Sequence, residues 1–206
     1  ETLRLNSLKG KETLSWKSRV ISVFGAKGGI GKTTIAVNLA VRLAQRHKKV
    51  ALIDLDLQFG DVYLFLDIDP KETLAELVQE DMDSDIDLVR SFMSVHSSGV
   101  HVLCSPKSPI YAETISAEKV RNLLNLLRSY YDYVIIDNQP FFDDVTITAL
   151  ESSSNIIFVA GLDISIVKNS KLSISILDSL RLSEKILLAV NRDDAGAITV
   201  RDVSRA

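Results

Sequence analysis

The residues in this chain best suited to chemistry begin with a short glycine-rich run. Gly28-Gly29-Ile30-Gly31 is followed at once by Lys32-Thr33-Thr34, and a further lysine, Lys27, precedes the glycines. Glycines let backbone N–H groups close around an anion. A helix opening at Lys32 would add its free N–H groups and the positive end of its dipole. Lysine at that point sets a charge against phosphate oxygens, and the Thr33 hydroxyl suits Mg²⁺. A glycine turn without a ligand would not need Lys-Thr-Thr behind it. Two acidic motifs complement the run. Asp54 and Asp56 stand two apart in Asp54-Leu55-Asp56-Leu57-Gln58-Phe59-Gly60-Asp61, and Asp137 closes the apolar run Tyr133-Val134-Ile135-Ile136. Both acidic motifs close a strand where an open α/β sheet binds ligands, and an acid closing a buried strand, like Asp137, suits a Mg²⁺-bound water. The chemistry indicated is the binding of a nucleotide's phosphates together with a divalent cation.

The elements that must position these residues follow from hydrophobic pattern. Val20, Ile21, Val23 and Phe24 read as a buried strand leading into the glycines, and Ala36, Leu39, Ala40, Leu43 and Ala44 repeat at helical spacing behind them. Arg46-His47-Lys48-Lys49 is a basic helix end that complements the helix dipole. Val50-Ala51-Leu52-Ile53 is a second strand, delivering Asp54 and Asp56 at its carboxyl end. The acidic stretch from Asp67 to Asp87 suggests a helix starting at Pro70-Lys71-Glu72, with an apolar face of Leu74, Leu77 and Val78. A second short helix is expected over Ile86 to Met93. Val100 to Cys104 reads as a third strand and Ser105 to Pro109 as a loop. A helix capped by Ser116 carries Val120, Leu123, Leu124 and Leu127. The strand ending at Asp137 precedes a helix capped by Asp143 and Asp144. A strand over Asn155–Ala160, a helix over Ile164–Leu180 and a strand over Lys185–Arg192 complete the pattern. Strands that are apolar throughout and alternate with helices predict an α/β fold, a doubly wound, mostly parallel sheet with helices on both faces. Ligands bind such sheets at the carboxyl edge, where both acidic motifs fall.

The strict pattern G-x-x-x-x-G-K-[ST] fails at Ala26. Lys27-Gly28-Gly29-Ile30-Gly31-Lys32-Thr33-Thr34 instead resembles the deviant Walker A P-loop of the MinD/ParA ATPase family, which tolerates a small residue at the Ala26 position. Asp54-Leu55-Asp56 is similar to that family's D-x-D. Asp132-Tyr133-Val134-Ile135-Ile136-Asp137 is similar to its Walker B strand, although Asn138 and Gln139 replace the small residue and first proline usual there. The resemblance runs from Arg19 to Arg205. It implies a slow, Mg²⁺-dependent ATPase acting as an ATP-dependent homodimer. In that reading Gly28, Gly29, Ile30, Gly31, Lys32, Thr33 and Thr34 hold the nucleotide, and Lys27 reaches across the dimer to the partner's phosphates. Thr33 and Asp137 serve Mg²⁺, Asp54 supports it through water, and Asp56 places the attacking water. Asn191 reads the adenine edge and Arg192 lies against the ring. Within the family the chain looks most like the CpaE/TadZ branch, associated with pilus assembly and polar localisation. Asp54 to Val62 and Leu66-Asp67-Ile68-Asp69-Pro70 carry that likeness. A MinD-like division-site protein, a ParA-like DNA-partition ATPase and a weakly hydrolysing scaffold stand as alternatives. An iron-protein homologue would need paired cysteines for its cluster, and Cys104 is alone.

Composition agrees with one well-cored domain. The chain has 206 residues, 46% of them hydrophobic and 25% charged, with a formal net charge of −3. That charge argues against sequence-independent DNA binding by the whole surface. A single cysteine fits a reducing, cytoplasmic setting, with recruitment to the inner membrane or cell pole implied by the CpaE/TadZ likeness. Residues 1–19 read as a linker or tail and 20–206 as the ATPase domain, cut short at its carboxyl end. His47 is expected to be solvated and His101, lacking neighbouring ligands, to bind no metal.

Overall fold

A computed structural model describes residues 18–80 and 85–191. The expectations for the amino-terminal tail, for Asp81 and Asp83 and for Arg192 lie outside these residues. The core is a seven-stranded sheet in the order β3-β4-β2-β5-β1-β6-β7. Its strands are β1 (Arg19–Phe24), β2 (Val50–Leu55), β3 (Ser94–Val95), β4 (His101–Leu103), β5 (Tyr133–Asn138), β6 (Asn155–Ala160) and β7 (Ile186–Val190). Every neighbouring pair is parallel except β3–β4, which is antiparallel. The helices are α1 (Lys32–Ala44), α2 (Val62–Phe65), α3 (Leu74–Leu77), α4 (Ile86–Ser91), α5 (Ala117–Leu127), α6 (Asp144–Ser152) and α7 (Ile164–Ser179).

The two faces of the sheet are separated by the period of two along each strand. Ala51, Ile53, Val134 and Ile136 pack with Leu123, Leu124 and Leu127 of α5 and Ala149 of α6. Val50, Leu52 and Ile135 pack with Ala36, Val37 and Ala40 of α1. The small alanines bring α1 close to the sheet. Phe24 and Phe158 centre a third cluster, their rings 5.9 Å apart, with Phe142 at 5.0 Å from Phe24. All positions of β2 are buried. A strand covered on both faces has room for a polar side chain only where it is put to use. In β2 and β5 the buried carboxylates, Asp54 and Asp137, both come near the carboxyl end.

The doubly wound α/β architecture is as the pattern predicts, and the local differences have physical causes. The helix expected from Pro70 begins at Leu74 instead. Thr73 caps it, accepting from Ala75 N, and Glu76 reaches back to the Thr73 N–H in a capping box that outcompetes the proline start. The helix expected over Ile86 to Met93 ends at Ser91, and the chain then turns into β3. That two-residue edge strand is too short to carry a pattern. The loop read over Ser105 to Pro109 runs into a 3₁₀ turn at Pro109–Thr114. The final strand begins at Ile186, because Ser183–Lys185 forms a 3₁₀ turn, and its Leu187 and Leu188 are exposed rather than buried.

Cys104 follows β4 directly and is 1% exposed. Burial, reinforced by the nearby Asp54, pushes its thiol up to about 12. Alkylation by iodoacetamide at pH 8 is expected to be negligible in the folded protein and complete in denaturant, read by intact mass. Rapid native labelling would contradict the packing of this strand end.

Candidate nucleotide-phosphate site

The loop after β1 leads into α1 through two glycines in the left-handed region. Gly29 has φ 71° and Gly31, the N-cap, φ 98°. Side chains other than glycine reach these values only with strain. Ala26, where the strict motif asks for glycine, packs partly buried against the Phe24–Phe158 cluster. The end of α1 itself is bare, with no side-chain cap and no acid in its first turn. By contrast Thr73, Asp85, Ser116, Asp143 and Asp163 cap α3, α4, α5, α6 and α7 with hydrogen bonds to backbone N–H groups. The α1 terminus therefore keeps its N–H groups and positive end for an external anion.

Lys32 is buried at the first position of α1, with its Nζ 3.4 Å from the Lys27 carbonyl oxygen. Burial lowers its pKa, and the carboxylates of Asp137 and Asp56 oppose that shift. Thr33 is half-buried beside it. Asp137 lies where β5 runs between β1 and β2, in register with Val23 on one side and Asp54 on the other. Neither of its oxygens has a hydrogen-bond partner, although both are buried. Burial raises its pKa to about 6, held back by the Thr33 hydroxyl and by the Lys32 charge. A buried carboxylate left unsatisfied is costly. An orphaned acid beside a threonine hydroxyl and a lysine fits a Mg²⁺ ion completed by substrate phosphates and water. Among the described residues no cluster of three or more His, Cys, Asp or Glu could hold a metal alone.

Asp54 is different. It is fully buried, and its oxygens accept from Asp56 N at 3.1 Å, Val62 N at 3.2 Å and Ser105 Oγ at 3.2 Å. Burial first and the Asp137 charge second raise its pKa well above the ordinary carboxylate value, against those backbone N–H bonds. Its observed task is to fasten the loop from residue 56 to 62. Asp56, half-buried on that loop, accepts from Phe59 N at 3.4 Å. Gly60 lies hard against the same carboxylate, so a Cβ there would come within 2.3 Å of Asp54 Oδ2.

The remaining sequence candidates are placed as follows. Gly28, Gly29 and Thr34 are exposed along the loop and the start of α1, while Ile30 is buried beneath it. Lys27 is exposed and donates from Nζ to Ser165 Oγ at 2.8 Å, within its own chain. Asn191 donates from Nδ2 to the Ile30 carbonyl at 2.9 Å, tying the end of β7 to the glycine loop. The Asn191 side chain, expected to read the adenine edge, is engaged through Nδ2 with the loop in this structure. Sequence reasoning missed Ser105, Ser165 and Gln139. Ser105 and Ser165 stand in segments with no motif. Gln139 is the exception: its departure from the family pattern was a visible signal without a visible role.

A sheet of this order, with a bare helix end, a buried lysine and an acid at the adjacent strand end, defines a P-loop nucleotide-binding domain. Residues 18–173 match the family described as an AAA domain, and the chain belongs to it; its relatives and its fold are of the MinD/ParA kind. Sporulation initiation inhibitor protein Soj of Bacillus subtilis is 32% identical over 145 residues, 68% of this chain and 56% of its own. Septum site-determining protein MinD of Synechocystis sp. is 29% identical over 177 residues, 85% of this chain and 65% of its own. The chain thus spans less than two thirds of the length of these relatives. The crystal structure of a ParA family ATPase from Chlorobium tepidum superposes with a TM-score of 0.86 at 26% identity, covering 93% of this chain and 80% of that one.

Two outcomes follow from this geometry. Asp137→Asn removes a carboxylate whose folded pKa, about 6, exceeds its ordinary 3.8. A carboxylate with a raised pKa destabilises the fold above that pKa, and the penalty fades as pH falls and the group takes up its proton in the folded state. The nucleotide-free variant should therefore be more stable than wild type by on the order of 1–3 kcal/mol at pH 8, the gain shrinking through pH 6 and vanishing near pH 4, by urea titration. Gly60→Ala should cost about 1–3 kcal/mol by overpacking against Asp54 and Ser105, read the same way.

Proposed function

We propose that this chain binds and slowly hydrolyses Mg²⁺-ATP, and that ATP joins two copies into a dimer that positions a cellular assembly. The observation that carries the reading is Asp137, orphaned and buried beside Lys32 and Thr33 beneath a bare helix end. The N–H groups of the Gly28–Thr34 segment would cradle the β- and γ-phosphates, and Lys32 would neutralise them. Thr33 and Asp137 would hold Mg²⁺, with Asp54 supporting it through water. That ion, when bound, offsets charge on the phosphate oxygens during transfer. Asp56 stands on the fastened loop and would place the attacking water. Asn191 and Arg192 would contact the base.

Dimerisation has its own support. Phe59 (74% exposed), Phe141 (46%) and Ile164 (76%) follow the carboxyl ends of β2, β5 and β6, on the same edge as Lys27. Apolar side chains rimming a charged site favour burial against a second copy. Lys27 would exchange Ser165 for the partner's phosphates.

The relatives favour a MinD- or ParA-like positioning role, in division-site selection or partition. The CpaE/TadZ reading, with protein partners in pilus assembly, rests on residues 54–62 and 66–70 alone. No described helix is long and apolar enough to cross a membrane. Light scattering with ATP, with ADP and without nucleotide tests the switch. Wild type should double in mass only with ATP, Lys27→Ala should stay monomeric, and Asp56→Ala should remain dimeric for longer. A mass indifferent to nucleotide in all three would reject it. Salt-sensitive retention on DNA with ATP would single out the ParA-like role.

A further inference from the structure

The segment joining β5 to α6 begins immediately after Asp137, so its shape sets the surroundings of the orphaned carboxylate. It is fastened by side chains along its length. Asn138 donates backward from Nδ2 to the Val23 carbonyl of β1 at 3.1 Å. Phe142 packs on Phe24. Between them Gln139, only 2% exposed, donates forward from Nε2 to Asp143 Oδ2 at 2.5 Å and to Thr146 Oγ1 at 3.2 Å. Asp143 uses its other oxygen to cap α6, accepting from Thr146 N at 2.7 Å. One carboxylate thus receives the amide of Gln139 and the first turn of α6 together. A proline at residue 139, as the family pattern has it, would fix φ but donate nothing.

We propose that Gln139 is a positioning residue: its amide clamps the segment after Asp137 to the start of α6, so that the segment holds one shape before a nucleotide arrives. The consequence for binding rests on the reading of this site as an ATP site. A segment already ordered does not have to be ordered when the phosphates bind. A clamp that is absent leaves the competent shape only partly populated, and the apparent Kd rises by the inverse of that fraction.

The clamp is electrostatic in direction, which separates it from simple filling of space. Gln139→Glu is nearly isosteric but sets a carboxylate against Asp143. Gln139→Lys keeps a donor toward Asp143. Gln139→Leu removes the donor and keeps the bulk. The experiment is hydrogen–deuterium exchange over residues 138–146 in the nucleotide-free protein, together with titration of a fluorescent ATP analogue, for variants whose circular dichroism shows them folded. In Gln139→Leu and Gln139→Glu, amide exchange should rise about tenfold and the Kd should weaken about three- to tenfold. Gln139→Lys should recover most of both. In an Asp143→Ala background Gln139→Leu should add little, since the charged acceptor is already gone and only the longer contact to Thr146 Oγ1 is left to lose. Wild-type exchange in Gln139→Leu, or equal effects of Glu and Lys, would overturn the clamp. If wild type binds no nucleotide, the ATP reading fails while the exchange series still decides the clamp.

Discussion

Two carboxylates side by side in the middle of a buried sheet constrain everything else in this protein. Asp54 and Asp137 are register partners on β2 and β5, both almost fully buried; the Asp137 charge raises the cost of ionising Asp54, and Asp56 and Asp61 raise that of Asp137. Like charges in a low dielectric persist only where donors and cations are supplied around them. The fold supplies them unequally. Asp54 receives three protein donors and becomes a structural pin for the loop that carries Asp56. Asp137 receives none within hydrogen-bonding geometry and is left with the Lys32 charge and the Thr33 hydroxyl nearby. In the proposed reading, the unsatisfied member of the pair is the one that would meet Mg²⁺.

The same inequality runs through the helix termini. Five of the seven described helices begin at a side chain that satisfies their own N–H groups; the one-turn α2 and the helix that follows the glycine loop do not. A protein that caps its other long helices and leaves α1 bare concentrates unsatisfied donors beside its unsatisfied acid and buried lysine. A bound phosphate with its counter-ion answers both needs. Stability and function are then opposed locally: the groups that would hold the ligand are the ones the empty fold satisfies least.

Around that centre, the loops are held by contacts distant in sequence. Ser105 reaches Asp54, Ser165 reaches Lys27, and Asn191 reaches the Ile30 carbonyl. Each joins a loop at the carboxyl edge to an element far along the chain. The glycine loop is thereby tied to the end of β7, and Lys27 to the start of α7.

How much of this was legible beforehand follows from the range of the forces involved. Hydrophobic period and glycine chemistry act locally, so the order of strands and helices, the glycine loop opening a helix at Lys32, and acids at strand ends could all be read from residue order. Short elements could not. The two-residue β3 has no period to detect, and the start of α3 was settled by a capping box rather than by Pro70. The sequence by itself determined the class of fold, that the glycine run before Lys32 opens a helix, and that Asp54, Asp56 and Asp137 belong to one edge. Only the tertiary structure decided which acid is spent on the protein and which is left over. It alone set the Asn191 amide against the glycine loop and gave Gln139 its partners. Those outcomes depend on groups 51 to 161 residues apart meeting at hydrogen-bond distance, or, for Gln139, on the turn that brings Asp143 back to it. A linear pattern records which donors and acceptors exist; only packing assigns them to one another.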